Sequence, residues 1–305
     1  MHIPDGFLAA PVWGTLDAAA VPAVAVIARR AQRGFDESKV PLLGVMGAFV
    51  FAAQMINFPV GVGTTGHLVG GTLLACTLGP GPAAVAMTVI IAIQALVFQD
   101  GGILALGPNI LNMAVFGVLA GYLPYAIWGA GPRRKTAIFL GGALSVMVSA
   151  LLALSELLLS GVRMPGPVLG LSLLLFAVSA ALEGAITVAV MQALETIQPD
   201  FVRQRQPARA GSSLFGIVAI AAILLACVGV LFAATSPDGI NRLGIQTGIA
   251  SRVQTLFTTP FSGYQTTFVQ SAWVRKASSG LAGLAIIYAA CIGLGRAAAA
   301  RNRSL

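Results

Sequence analysis

The sequence predicts an all-α polytopic membrane protein, a seven-helix bundle followed by two additional transmembrane helices. Of its 305 residues, 57% are hydrophobic and only 9% charged, and the mean hydropathy of +0.89 lies far above that of soluble domains. The apolar residues come in stretches of about 20, the length at which an α-helix crosses a hydrocarbon core roughly 30 Å thick. These stretches lack the alternation of an outer-membrane barrel, so helices must satisfy the backbone internally.

Nine spans are expected, approximately at 8–28, 41–57, 63–78, 83–98, 103–129, 136–160, 168–194, 214–235 and 280–298. Basic residues Arg29, Arg30, Arg33 and Lys39 separate the first two. Gly79-Pro80-Gly81-Pro82 divides the third from the fourth, and Gly131 to Lys135 divides the fifth from the sixth. Composition also separates two parts. Residues 1–198 hold seven spans on short loops, and 199–213 form a polar, basic cytoplasmic linker interrupted by Pro199 and Pro207. Residues 214–305 supply two more helices around a stretch, 236–279, rich in Ser, Thr and Gln. A loop that long in a compact membrane protein points to function or partner binding.

The net charge of +8 does not argue for a nucleic-acid partner, because basic residues in membrane-protein loops are topology signals. Of 18 Lys and Arg, 13 fall on one side of the bundle, leaving Arg163, Arg242, Arg252, Arg275 and Lys276 on the other. The positive-inside rule then places the N-terminus outside the cell membrane and the C-terminus in the cytoplasm. The N-terminus lacks the charged and apolar regions of a removable signal peptide. Met1 is expected to stay, since its removal requires a small second residue and His2 is large.

Only two histidines are present, His2 and His67. Position 2 lets one residue bring several nitrogens to one ion. The α-amine of Met1, the amide nitrogen between residues 1 and 2, and the His2 imidazole can close two fused chelate rings. A fourth nitrogen would complete a plane, and His67 offers the other imidazole. Four planar nitrogens favour Cu(II) or Ni(II), with Co(II) possible, whereas Zn prefers a tetrahedron and Mg or Ca prefer oxygen. A lone intramembrane His is ordinarily a packing or hydrogen-bonding residue. Pairing His67 with a histidine at position 2 reverses that balance.

Polar breaks at Asp5-Gly6, Gln99-Asp100-Gly101-Gly102 and Pro108 to Met113 offer hydrogen bonds that orient the imidazoles, with Asp100 and Asn109 the candidates. The alternative reading of these breaks is turn chemistry. Asp17, Glu156 and Glu183 lie within spans, where a carboxylate must face the interior, be protonated or meet a partner. Cys76, Cys227 and Cys291 sit in apolar sequence without CxxC spacing and read as packing residues.

No catalytic constellation is expected. There is no H-E-x-x-H, and two histidines leave no convincing Ser-His-Asp arrangement. The sequence has no Gly-Lys dipeptide, which excludes a Walker A phosphate loop. ATP-driven work would need partner chains. Rival readings are an ATP-independent divalent metal permease or channel, an intramembrane metalloenzyme and a structural membrane subunit.

The chain resembles the CbiM/NikM family, the substrate-binding S components of cobalt and nickel energy-coupling-factor transporters. The resemblance rests on MHIPDGFL at the start, GTTGHLVGG around His67, QDGGILALGPNILNMAVFG from Gln99 to Gly117, and the seven-helix region to about residue 198. It implies that Met1, His2 and His67 supply the four nitrogens to a nearly planar Ni(II) or Co(II), carried as substrate with no prosthetic group. It also implies a transmembrane scaffold subunit and cytoplasmic ABC-type ATPases as partners. The C-terminal part is similar to the family's two-helix companion subunit, fused here in one chain. Ser236-Pro237-Asp238-Gly239-Ile240-Asn241 matches that subunit's SPDGLE except that Ile240 and Asn241 replace its last two residues. That likeness implies a loop that docks on the metal-binding part and promotes loading.

Overall fold

A computed structural model of the chain describes residues 1–33, 35–61, 63–198 and 212–302. Most of the expected linker, residues 199–211, lies outside them, as do Arg203, Arg205, Arg209 and Arg303. Helices occur at all nine expected positions: α1 (Ala10–Gln32), α2 (Val40–Gln54), α3 (Gly71–Leu78), α4 (Pro80–Phe98), α5 (Leu106–Trp128), α6 (Arg134–Leu159), α7 (Gly166–Ile197), α8 (Ser212–Cys227) and α10 (Ala272–Asn302). Among the described residues, seven segments are long and apolar enough to cross a membrane. The exceptions are α2 and α3.

Helix α2 has 15 residues, about 22 Å at 1.5 Å per residue, and is too short to span alone. It packs chiefly against α10 and α8, which bury most of its side chains. Small residues let those helices approach, with Gly44 against Tyr288 and Ile292, and Gly47 against Cys291. Cys291 is thus a packing residue, and all three cysteines are free thiols.

The expected span 63–78 is helical only from Gly71. Before it lies an antiparallel hairpin, β1 (Phe58–Gly61) and β2 (Thr64–Gly66), with Phe58 opposite Gly66 and Pro59 opposite Thr65. Hydropathy reads apolar content, but here β-branched Thr64 and Thr65 sit among glycines that leave a helix poorly supported. The hairpin's free edge is covered from the far end of the chain. Thr65 N–H donates to Pro237 C=O at 3.0 Å, and Thr65 Oγ1 donates to Ser236 C=O at 2.9 Å.

In the 236–279 stretch, Asp238 caps the N-terminus of a short helix, α9 (Gly239–Thr247), by accepting from Asn241 N–H at 2.8 Å. Helix α10 begins at Ala272, eight residues before the expected span, because its first turns are polar and hydropathy marks only the apolar length. Large apolar side chains such as Val21, Leu123, Leu159, Leu174, Ile220 and Phe232 face outward. With lipid as solvent that arrangement carries no hydrophobic penalty.

Candidate metal site

The chain's first nine residues are irregular, yet Ile3, Phe7 and Leu8 are almost fully buried. Phe7 and Ile3 pack in an apolar cluster with Leu154, Leu157, Ile240 and Leu243, so α6 and α9 grip the N-terminal segment from two sides. Polar contacts then fix its register. Asn109 accepts from Ile3 N–H at 2.8 Å and donates to Ile3 C=O at 3.1 Å. Gly102 N–H donates to the same carbonyl at 2.8 Å, and Asp5 accepts from the N–H groups of Ile103 and Leu104 at 3.0 and 2.8 Å. The 99–102 segment can lie this close because Gly101 adopts φ +95° and a Cβ there would press on His2 and Asn109.

His67 is presented by the turn after β2. Two buried side chains hold the residues between this turn and α3: Glu183 of α7 accepts from the N–H groups of Val69 and Gly70 at 2.7 and 2.8 Å, and Gln54 donates to Val69 C=O at 2.7 Å. Gly70 itself sits at φ +77° and opens α3 with no side-chain cap of its own. His67 Nδ1 lies 2.9 Å from Leu68 C=O. A carbonyl can only accept, so Nδ1 carries the proton and Nε2 presents its lone pair.

The two parts of the chain meet at the α-amine. The Met1 nitrogen is 2.9 Å from His67 Nε2 and 2.8 Å from Asp238 Oδ2. The rings of His2 and His67 stack nearly parallel, 11° apart with centroids at 5.7 Å. His2 is 3% exposed, and its Nδ1 lies 3.3 Å from Asp100 Oδ1. Asp100 Oδ2 in turn accepts from Tyr264 OH at 2.6 Å.

The electrostatics follow from this crowding. Burial, then the positive amine and His2, push the His67 imidazole down to about 4, so it is neutral near pH 7. Burial alone would raise the Asp100 carboxyl, but the charge of His2, contacts from His2 and Tyr264, and the charge of His67 together hold it below the usual carboxylate range. Asp238 behaves alike: burial opposes ionisation, and the adjoining amine, the Asn241 N–H and His67 overcome it. Burial and the negative Asp100 raise the Tyr264 phenol well above its ordinary value, which keeps it a donor.

Among the described residues, no three His, Cys, Asp or Glu side chains form a metal-holding group. The family model for the cobalt uptake substrate-specific transmembrane region, CbiM, matches residues 2–201. The chain belongs to the CbiM family. The likeness to CbiM-family proteins also runs past residue 201. The fused nickel transport protein NikMN of Rhodobacter capsulatus is 31% identical over 343 aligned residues, covering 99% of this chain and 98% of that one. The cobalt transport protein CbiM of Salmonella typhimurium is 34% identical over 172, covering 55% of this chain and 68% of its own. A crystal structure of a truncated transition metal transporter superposes with TM-score 0.57 at 35% identity, covering 64% of this chain and 99% of that one. This CbiM-family chain is thus a multi-pass membrane component of a metal-uptake system with a NikN-like part fused at its C-terminal end, and not an enzyme.

Of the residues singled out in the sequence, Met1, His2, His67 and Asp100 come together, while Asn109 acts one residue away, on the Ile3 backbone. Sequence reasoning missed Asp238, Tyr264 and Gln54. Asp238 had a signal, the Ser-Pro-Asp-Gly motif, but nothing local to it says that it reaches an amine 237 positions earlier. The intramembrane carboxylates each meet donors: Asp17 accepts from Gly107 N–H, Glu156 from Asn112, and Glu183 from the strand-to-helix turn.

Proposed function

We propose that this chain is the S component of an energy-coupling-factor transporter, capturing Ni(II) or Co(II) outside the cell. The carrying observation is the 2.9 Å separation of the Met1 amine and His67 Nε2 beside a stacked His2 ring. In a square plane, metal–nitrogen bonds of about 2.0 Å put neighbouring nitrogens about 2.8 Å apart. The fused rings fix the order amine, amide, His2 imidazole, leaving one corner that adjoins the amine. His67 Nε2, neutral and 2.9 Å from the amine, would take that corner once the amine gives up the proton it donates to that lone pair.

Saturating four positions with protein nitrogen leaves no water to activate, which suits a carrier and not a metalloenzyme. The full-length relative named for nickel, together with planar nitrogen coordination, leans the substrate towards nickel over cobalt. A transmembrane scaffold subunit and cytoplasmic ATPases supply the driving force, since the chain has no phosphate loop.

The test uses the full chain with a ten-residue N-terminal extension ending in a protease site that, once cut, leaves Met1 first. The extension removes the free amine. Metal analysis and calorimetry with Ni(II) should show no tight site before cleavage and one equivalent after it. Equal binding before cleavage would remove the amine from the site and overturn this reading.

A further inference from the structure

Two cavities flank the N-terminal nitrogens, and they differ in size and chemistry. On the Met1 and His67 side, the space is about 10 Å³ and is lined mostly by apolar and small residues with Asp238 at one wall. On the His2 side, a cavity of about 240 Å³ is lined by His2, Asp5, Gln99, Asp100, Asn241 and residues 253–257. A hydrated divalent ion carries about six waters at roughly 30 Å³ each, about 180 Å³ in all. Only the larger cavity accommodates that shell.

Its walls match a hydrated cation. Of the two residues that could hold a cation, the Asp100 side chain is 35% exposed and His2 3%. Among the described residues, His2 Nε2 has no hydrogen-bond partner, and Nδ1 meets only Asp100 Oδ1, at 3.3 Å. A buried imidazole with an unmet nitrogen beside a polar space points to a ligand there. Gln99 ties the two sides of the cavity together, donating to Phe257 C=O across it.

We propose that this cavity is a staging vestibule in which a hydrated divalent transition-metal ion is held by the Asp100 carboxylate and loses its first waters to His2 before it enters the nitrogen plane. The sequence of contacts follows from size: the ion meets carboxylate and imidazole while hydrated, and reaches the amine and His67 only when stripped. This inference rests on the metal-capture reading and adds the route and order of loading.

Stopped-flow absorbance with Ni(II) sulfate on the full detergent-solubilised chain tests it, with equilibrium affinity measured in parallel. Thr255→Trp places a bulky side chain in the vestibule wall, away from every proposed ligand. Loading and release should both slow by about tenfold while Kd stays within twofold, because a blocked route changes rates and not end states. Asp100→Asn should slow loading about tenfold at low ionic strength and flatten its salt dependence, and Asp100→Glu should restore both. Wild-type loading rates in both Thr255→Trp and Asp100→Asn would overturn the vestibule. Absence of any Ni(II) site in the unaltered chain would instead overturn the capture reading itself.

Discussion

Glu183→Gln is an isosteric change whose consequence can be worked out from four atoms. The side chain is 1% exposed, and its two carboxylate oxygens accept from Val69 and Gly70 N–H at 2.7 and 2.8 Å. Gly70 opens α3 with no cap of its own, so α7 supplies the acceptor that the first donors of a helix lack. Glutamine offers one carbonyl oxygen and turns an NH₂ towards the other donor. One buried N–H is orphaned, costing about 1–3 kcal/mol. The expected destabilisation is about 1–3 kcal/mol, a sizeable share of the roughly 5–15 kcal/mol that holds a typical domain. Thermal unfolding of the metal-free chain in detergent reads it without reference to any ligand. Glu195→Gln, which breaks the partly exposed 2.8 Å pair with Arg134, serves as control and should cost less than about 1 kcal/mol. Because residues 69 and 70 directly follow His67 and Leu68, Ni(II) affinity should also drop about tenfold. A Glu183→Gln midpoint that matches the control would refute the argument that this carboxylate builds the His67 turn.

Asn109→Ala orphans the Ile3 N–H, while Ile3 C=O keeps its bond from Gly102. A cost of about 2 kcal/mol raises the undocked population of the N-terminus about 30-fold. Release of Met1 by an aminopeptidase should accelerate by about that factor, and an unchanged rate would show that the clamp is not what holds the segment. Tyr264→Phe keeps the ring that stacks on Phe98 but removes the 2.6 Å donor to Asp100. Its unfolding midpoint should move little while Ni(II) affinity falls about tenfold; equal loss in both would mark Tyr264 as merely structural.

How much of this was legible in the sequence depends on the range of each interaction. The helices were legible because lipid imposes composition on every span, and composition needs no partner. The pair His2 and His67 was legible through scarcity and through the chelate that position 2 permits by covalent geometry alone. The 58–66 hairpin was not, since a few apolar and small residues satisfy a helix window as readily as a short strand. Glu183 announced itself as a carboxylate in a span, yet its partners are backbone groups more than 110 positions away. Asp238 and Tyr264 belong to a part of the chain that composition separates from the first, and only the fold sets their carboxylate and phenol against Met1 and Asp100.

Proton release gives the sharpest check on main-chain ligation. In the metal-free chain the amine sits between Asp238 Oδ2 at 2.8 Å and His67 Nε2 at 2.9 Å, where an ammonium donates to both. Metal binding needs the amine's lone pair, so that proton must leave, and the amide of residue 2 must lose another. His67, held down to about 4 by burial, the amine and His2, is already neutral near pH 7 and releases none. Its sign runs the same way in acid, because a proton added to His67 below about 4 removes the fourth corner. Where the amine is an ammonium, affinity should therefore rise by at least about 100-fold per pH unit, two protons per metal. Titration calorimetry at one pH in buffers of different ionisation enthalpy counts those protons directly. Ligation by both the amine and the amide must release at least the amide proton, so a count below one per Ni(II) rules out the two together, whatever the affinity.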